Sequence, residues 1–227
     1  MTVVLAFLLA LQDEAAAQAE AAVAQFKTAY KNPDVNARVG AVAELGKTHH
    51  SRTGTVLAGL LTNDVVPVRR KAAEMLGQWP MKKAEISAIL QAAVRPNLKE
   101  PLVMAALFDA MGNLRDKSAV DDVNNVLSHA NDDVVLAAVR AAGKLGSAKS
   151  VDRLIGMWVT IDNYYHPHPT SDGKLESTKR TPEYDRKYGA QEPELKNAIS
   201  AITRQGFGDL VAARTWWNAN RATFKEQ

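Results

Sequence analysis

Apolar positions return along this chain in a fixed phase with glycine. Between Asn32 and Gly46, the residues Val35, Ala41, Val42 and Leu45 share one helical face and polar residues fill the other. Counted back from Gly46, Gly77, Gly112, Gly146 and Gly206, the preceding residue is Leu45, Leu76, Met111, Leu145 and Gln205. Four before the glycine stand Val42, Ala73, Phe108, Ala142 and Ile202, and five before stand Ala41, Ala72, Leu107, Ala141 and Ala201. Asn32 reads as a helix N-cap with Pro33 at the first helical position. The closing glycine reads as the left-handed residue that stops the helix.

A second apolar-periodic stretch follows each glycine: 55–61, 86–94, 120–127, 151–159 and 210–224. Each unit is therefore predicted to be helix, turn, helix. The glycines lie 31, 35, 34 and 60 residues apart. Removing the polar, turn-rich residues 163–190 returns the last spacing to 32, so a long insertion interrupts a regular array. Helix pairs at a fixed period predict an all-α solenoid, here right-handed, of about five hairpins.

Ahead of the repeats, residues 13–31 are alanine-rich, with Val23, Phe26 and Tyr30 on one face, and predict an N-terminal capping helix. Residues 3–11 form an apolar run of nine. A spanning helix needs about 20 apolar residues, so this run makes no stable membrane span. It fits the apolar core of a signal peptide, although no Lys or Arg precedes it and Ala15-Ala16-Ala17 is its best small-residue match for cleavage. The alternative is the first buried helix of the fold. The predicted organisation is thus 1–12 signal peptide or apolar segment, 13–31 cap, 32–162 repeats one to four, 163–190 tyrosine-rich insertion loop, and 191–227 repeat five with a C-terminal cap.

The pattern Asp34-Val35-x-x-Arg38-x-x-Ala41-x-x-x-Leu45-Gly46 is echoed by Val66-x-x-Arg69-x-x-Ala72-x-x-x-Leu76-Gly77. At these residues the chain resembles the HEAT-repeat family, in particular the short HEAT-like repeats of phycobilisome lyases. The third unit departs, with Met104 where the first two have Arg. Tetratricopeptide repeats share a period of about 34 residues, but their tryptophan, glycine and tyrosine spacing is absent. The resemblance implies a scaffold whose second helices line a concave, partner-binding surface.

Composition narrows the chemistry. The 28 basic and 25 acidic residues leave a net charge of +3, spread as 18 and 17 over residues 1–162 and 10 and 8 over 163–227. Without a basic block, nucleic acid is an unlikely main partner. Cysteine is absent, which removes disulfides, thiolate metal sites and cysteine nucleophiles. Gly46-Lys47-Thr48 lacks the upstream glycine and the strand of a phosphate loop. Asp121-Asp122 and Asp132-Asp133 are adjacent acids pointing about 100° apart on a helix, so they read as helix-start residues. Asp34 lies one turn before Arg38 and predicts an ion pair within the repeat. His166 and His168, with Asp172, make three loop ligands at most, so neither a metal nor any other cofactor is expected.

The insertion is the candidate site. Tyr164, Tyr165, Tyr184 and Tyr188 lie in it with His166, His168 and Arg186, and tyrosine and arginine dominate the energetics of interfaces. The alternative is that the tyrosines merely pin the segment to adjacent helices. Trp216 and Trp217 cannot both face inward; one seals the end of the stack, and Trp217 joins the candidate partner surface. The expectation is a non-enzymatic scaffold for a protein partner bound through the concave face and the 163–190 loop, with no small-molecule substrate evident and an exported or periplasmic setting, cytoplasmic being the alternative. A HEAT-like nucleic-acid binder and a lyase-like enzyme are the competing readings.

Overall fold

The computed structural model describes residues 2–166 and 180–226, and side chains from Gln12 onward. The described residues fold as α-helices and short turns without a strand. They form two compact units, residues 1–114 and 115–227.

The first unit holds α1 (Thr2–Ala29), α2 (Val35–Gly46), α3 (Ser51–Leu60), α4 (Val66–Gly77), α5 (Lys83–Val94) and α6 (Pro101–Leu114). The first helices of successive hairpins stack side by side, α2 on α4 and α4 on α6, while α3 and α5 pack against that layer and α1 covers α2 and α3. Leu45, Leu76, Met111, Val42, Ala73 and Phe108 are all buried, as the phase of the pattern requires. The apolar run and the predicted cap are one uninterrupted helix, α1, with no break at residue 12.

Three details of the sequence reading change. Asp34, not Asn32, is the N-cap of α2: its carboxylate accepts from the Ala37 N–H at 2.8 Å, while the Asn32 side chain accepts from Asp34 N–H. Arg38 therefore pairs with Asp64 at 3.0 Å instead of Asp34, tying α2 to the turn before α4, where the Tyr30 hydroxyl also reaches Asp64. One repeat later Arg69 meets the Asn97 side-chain oxygen at 3.0 Å, and Asn97, fully buried, donates to the Leu61 and Ala93 carbonyls.

The glycines also do something different. Gly46 and Gly77 are ordinary helical residues. A Cβ on Gly77 would stand 2.7 Å from the Ala110 Cα, and one on Gly46 would meet the Met75 side chain. They let neighbouring first helices approach closely, and among the described glycines only Gly146 has the left-handed backbone, φ 67°.

The second unit holds α7 (Val120–Asn125), α8 (Asp132–Leu145), α9 (Val151–Tyr165), α10 (Pro182–Thr203) and α11 (Leu210–Asn220). α8 packs on α7 and α10, and α9 packs on α10 and α11. Gly143 plays the close-approach role here, 2.9 Å from the Ala198 Cα had it a Cβ. The fifth repeat is out of the predicted phase: α10 stops at Thr203, so Gly206 lies in a loop and Gln205 is exposed. Its buried stripe is Leu195, Ala198, Ile199 and Ile202.

Candidate functional site

The insertion is narrower than the sequence suggested. Residues 163–165 complete α9 and residues 182–190 open α10, because Thr181 caps α10 through the Tyr184 N–H and Pro182 occupies its first turn. The predicted loop 163–190 is thus corrected at both ends: 163–165 and 182–190 are helical. Of that span, 167–179, including His168, lie outside the described residues.

The two helix ends bring all four tyrosines together. Tyr164 is the centre, 5% exposed, with its ring 5.1 Å from Tyr165, 5.9 Å from Tyr184 and 4.9 Å from Tyr188. Its hydroxyl accepts from the Thr181 N–H at 2.9 Å and lies 3.3 Å from the Asp185 carboxylate. Tyr164 therefore pins α9 to α10, as the alternative reading held. Tyr184 stacks on Tyr188 at 5.5 Å and is 44% exposed, so its outer ring face is open to a partner. Arg180 covers the Tyr165 ring at 5.2 Å and pairs with Asp185 at 3.1 Å. Burial pushes the Tyr188 phenol above its ordinary range, and Lys187 is raised by its hydrogen bond to Asp132. Arg186 and His166 are exposed, and on α10 Arg186 lies two residues from both Tyr184 and Tyr188, on another face of the helix.

Trp217 leaves the candidate surface. It is 4% exposed, and its indole N–H donates to Asp152 at 2.8 Å, joining α11 to α9. Trp216 is the half-buried member, packed between Phe207 and Phe224. The paired tryptophans seal the end of the unit.

A second surface in the same unit was not anticipated. A cleft of about 630 Å³ opens between α8 and α10, lined by Arg115, Lys117, Arg140, Lys144 and Arg204, with Glu194 its single carboxylate. Arg140 and Lys144 are one helical turn apart, a legible signal in hindsight. Arg115 and Arg204 are far away in sequence, and only folding gathers them. Beside the cleft, Lys117 holds Glu226 at 2.8 Å, and the same carboxylate accepts from Ser147 Oγ at 2.8 Å and from the Ala148 N–H.

In the first unit, a smaller groove of about 370 Å³ runs between α3 and α5 past His49, Gly54, Trp79 and Ile86. The His49 imidazole meets the Trp79 ring edge-on at 5.1 Å. Among the described residues, no group of three or more His, Asp or Glu could hold a metal ion. No helix among them is long and apolar enough to cross a membrane.

Residues 86–165 match the family model of HEAT repeats. The match begins in α5 and ends with the last residue of α9. Over that span the chain is similar to HEAT repeats, helical repeats of the kind that commonly mediate interactions. No curated protein matches the chain.

Proposed function

We propose that this chain is a non-enzymatic adaptor that holds a protein partner, and that it works outside the cytoplasm. The observation that carries the reading is the tyrosine cluster at the α9–α10 junction. An inner tyrosine, Tyr164, is spent on fixing two helices, and that rigidity presents the outer Tyr184 and Arg186 to solvent. Rigid aromatic rings lose little conformational entropy on binding, and arginine joins them among the residues that concentrate binding energy. HEAT repeats supply the matching scaffold. In the second unit the partner lies along α9 and reaches this junction. Export rests on the nine-residue apolar run at 3–11.

The test is affinity capture from the source cell with the full chain and with a Tyr184→Ala/Arg186→Ala variant. Both side chains are exposed, so the variant keeps its fold. The proposal expects a protein retained in defined stoichiometry by the native chain and lost by the variant. Equal retention by both would remove the α9–α10 junction from the interface.

A further inference from the structure

We propose that the edge of the first unit where α4 and α6 begin rests on an anionic membrane surface, with three apolar side chains entering the lipid interface among cations that have no partner in the chain. This goes beyond the adaptor reading and does not depend on it.

The first observation is where exposed apolar side chains gather. Val65 is 41%, Leu98 55% and Leu102 47% exposed, three of the six large hydrophobic residues that stand exposed among the described residues. Val65 is the N-cap of α4, Leu98 closes the short turn Arg95–Asn97, and Leu102 is the second residue of α6. Folding sets these places side by side. Asn97 donates to the Leu61 carbonyl at 3.0 Å and accepts from Arg69 at 3.0 Å, which ties the turn before α6 to the turn before α4. Single exposed apolar residues are ordinary on a protein surface, whereas a gathered set marks an interaction site. The repeat itself does not require them. Ten residues before its repeat glycine α6 has Leu102, where α2 has Asn36, and the turn before α2 reads Lys31-Asn32-Pro33-Asp34.

The second observation is uncommitted charge. Arg70, Arg95 and Lys99 are exposed at the same edge, and their side chains make no hydrogen bond, ion pair or ring contact among the described residues. Arg38 and Arg69, by contrast, are committed to Asp64 and Asn97. With Asp64 held by Arg38, Glu100 is the free carboxylate of these two turns. The uncommitted charge is therefore three cations against one anion.

The third observation is shape. α4 and α6 pack directly on one another, and the three apolar side chains stand on turns and a helix start at the edge of that layer. Pro67, Pro96 and Pro101 stiffen these turns, because proline fixes its own backbone. A partner helix needs a groove for its apolar face, and the clefts described above are lined by other residues. Apolar tips projecting among cations suit a flat anionic surface: the tips enter the headgroup boundary, and each Lys or Arg gains from the negative lipids.

The experiment sediments the full chain with vesicles of phosphatidylcholine alone and of phosphatidylcholine mixed with phosphatidylglycerol. The chain is expected to bind the mixed vesicles, less tightly as salt rises, and to bind the neutral ones far more weakly. Arg95→Gln/Lys99→Gln is expected to weaken binding about fivefold for each charge removed. Leu98→Ala/Leu102→Ala is expected to weaken it several-fold while the thermal midpoint stays level. Both variants keep α1 intact, so unchanged binding in both would assign it to the apolar run 3–11 and overturn the proposal. No binding to the mixed vesicles, or equal binding to the neutral ones, would overturn it as well. A protein captured from the source cell by the native chain and lost by Leu98→Ala/Leu102→Ala would make the edge a protein interface, with the same consequence. Tyr184→Ala/Arg186→Ala is expected to bind vesicles as the native chain does, so failure of the vesicle assay leaves the α9–α10 reading standing.

Discussion

At Gly77 and Gly143 the side chain that is missing sets how close two helices come. A methyl at either would press into the backbone of the facing helix, at Ala110 or Ala198. Overpacking of this kind costs about 1–3 kcal/mol. Gly77→Ala and Gly143→Ala should each lower stability by that amount in urea unfolding. Gly40→Ala should do the opposite: Gly40 is exposed within α2, and a Cβ there meets nothing within 4 Å. Relief of glycine's entropy cost should add about 0.5–1 kcal/mol. A uniform loss at all three would show that close approach is not the role of Gly77 and Gly143. Glu226 makes a pH-dependent contribution. Its hydrogen bond to Lys117 holds its pKa below the ordinary 4.5, with Ser147 and the Ala148 N–H adding to this. A lowered carboxylate pKa stabilises the fold at pH above the unfolded value, and that stabilisation disappears as pH falls through the folded one. Below pH 4.5 the native chain should therefore lose an increment of stability that Glu226→Gln lacks throughout, as read by thermal midpoints across a pH series.

At the scale of elements, the turns between hairpins are held by polar side chains instead of apolar ones. Asn97 has the most to lose: fully buried, it satisfies the Leu61 and Ala93 carbonyls and receives Arg69. Asn97→Ala leaves these groups without a partner, and an unsatisfied buried polar group costs about 1–3 kcal/mol. Chemical denaturation should show a loss in that range, and Asn97→Asp should lose at least as much, because a carboxylate oxygen would then face the Leu61 and Ala93 carbonyls with no proton to donate. A milder loss in Asn97→Asp would mean that the Arg69 contact outweighs the two carbonyl contacts. These elements show what could be read in the chain and what could not. The helix pairs were legible because apolar residues one, four and five before the glycine are buried in repeats one to four. The partner of Arg38 was not, because Asp64 lies 26 residues on and Asp34 offered a local alternative already used for capping. The extent of the insertion was not legible because Tyr164 and Tyr188 are polar-tipped residues that look like loop, yet Tyr164 is buried and Tyr188 half-buried where two helix ends meet. The cleft was hidden for the same reason as the Arg38 pair: Arg115, Arg140 and Arg204 share no local pattern.

At the scale of the molecule, each unit has its own core and its own surface features. The first unit is a stack of first helices sealed by α1, with the polar ties of Arg38 and Arg69 along its turns. The second unit carries the tyrosine junction and the cleft between α8 and α10, on helices fixed by Tyr164, Trp217 and the Gly143–Ala198 contact. The protein-binding role of the chain is assigned to the second unit. A photo-crosslinking residue placed at Glu183, an exposed neighbour of Tyr184, measures that assignment directly when compared with the same residue at Asn36, exposed on α2 of the first unit. Irradiated in the source cell, the chain should give a discrete protein adduct from position 183 that Tyr184→Ala abolishes, and little from position 36. Equal adducts from both positions, or none from position 183, would contradict it.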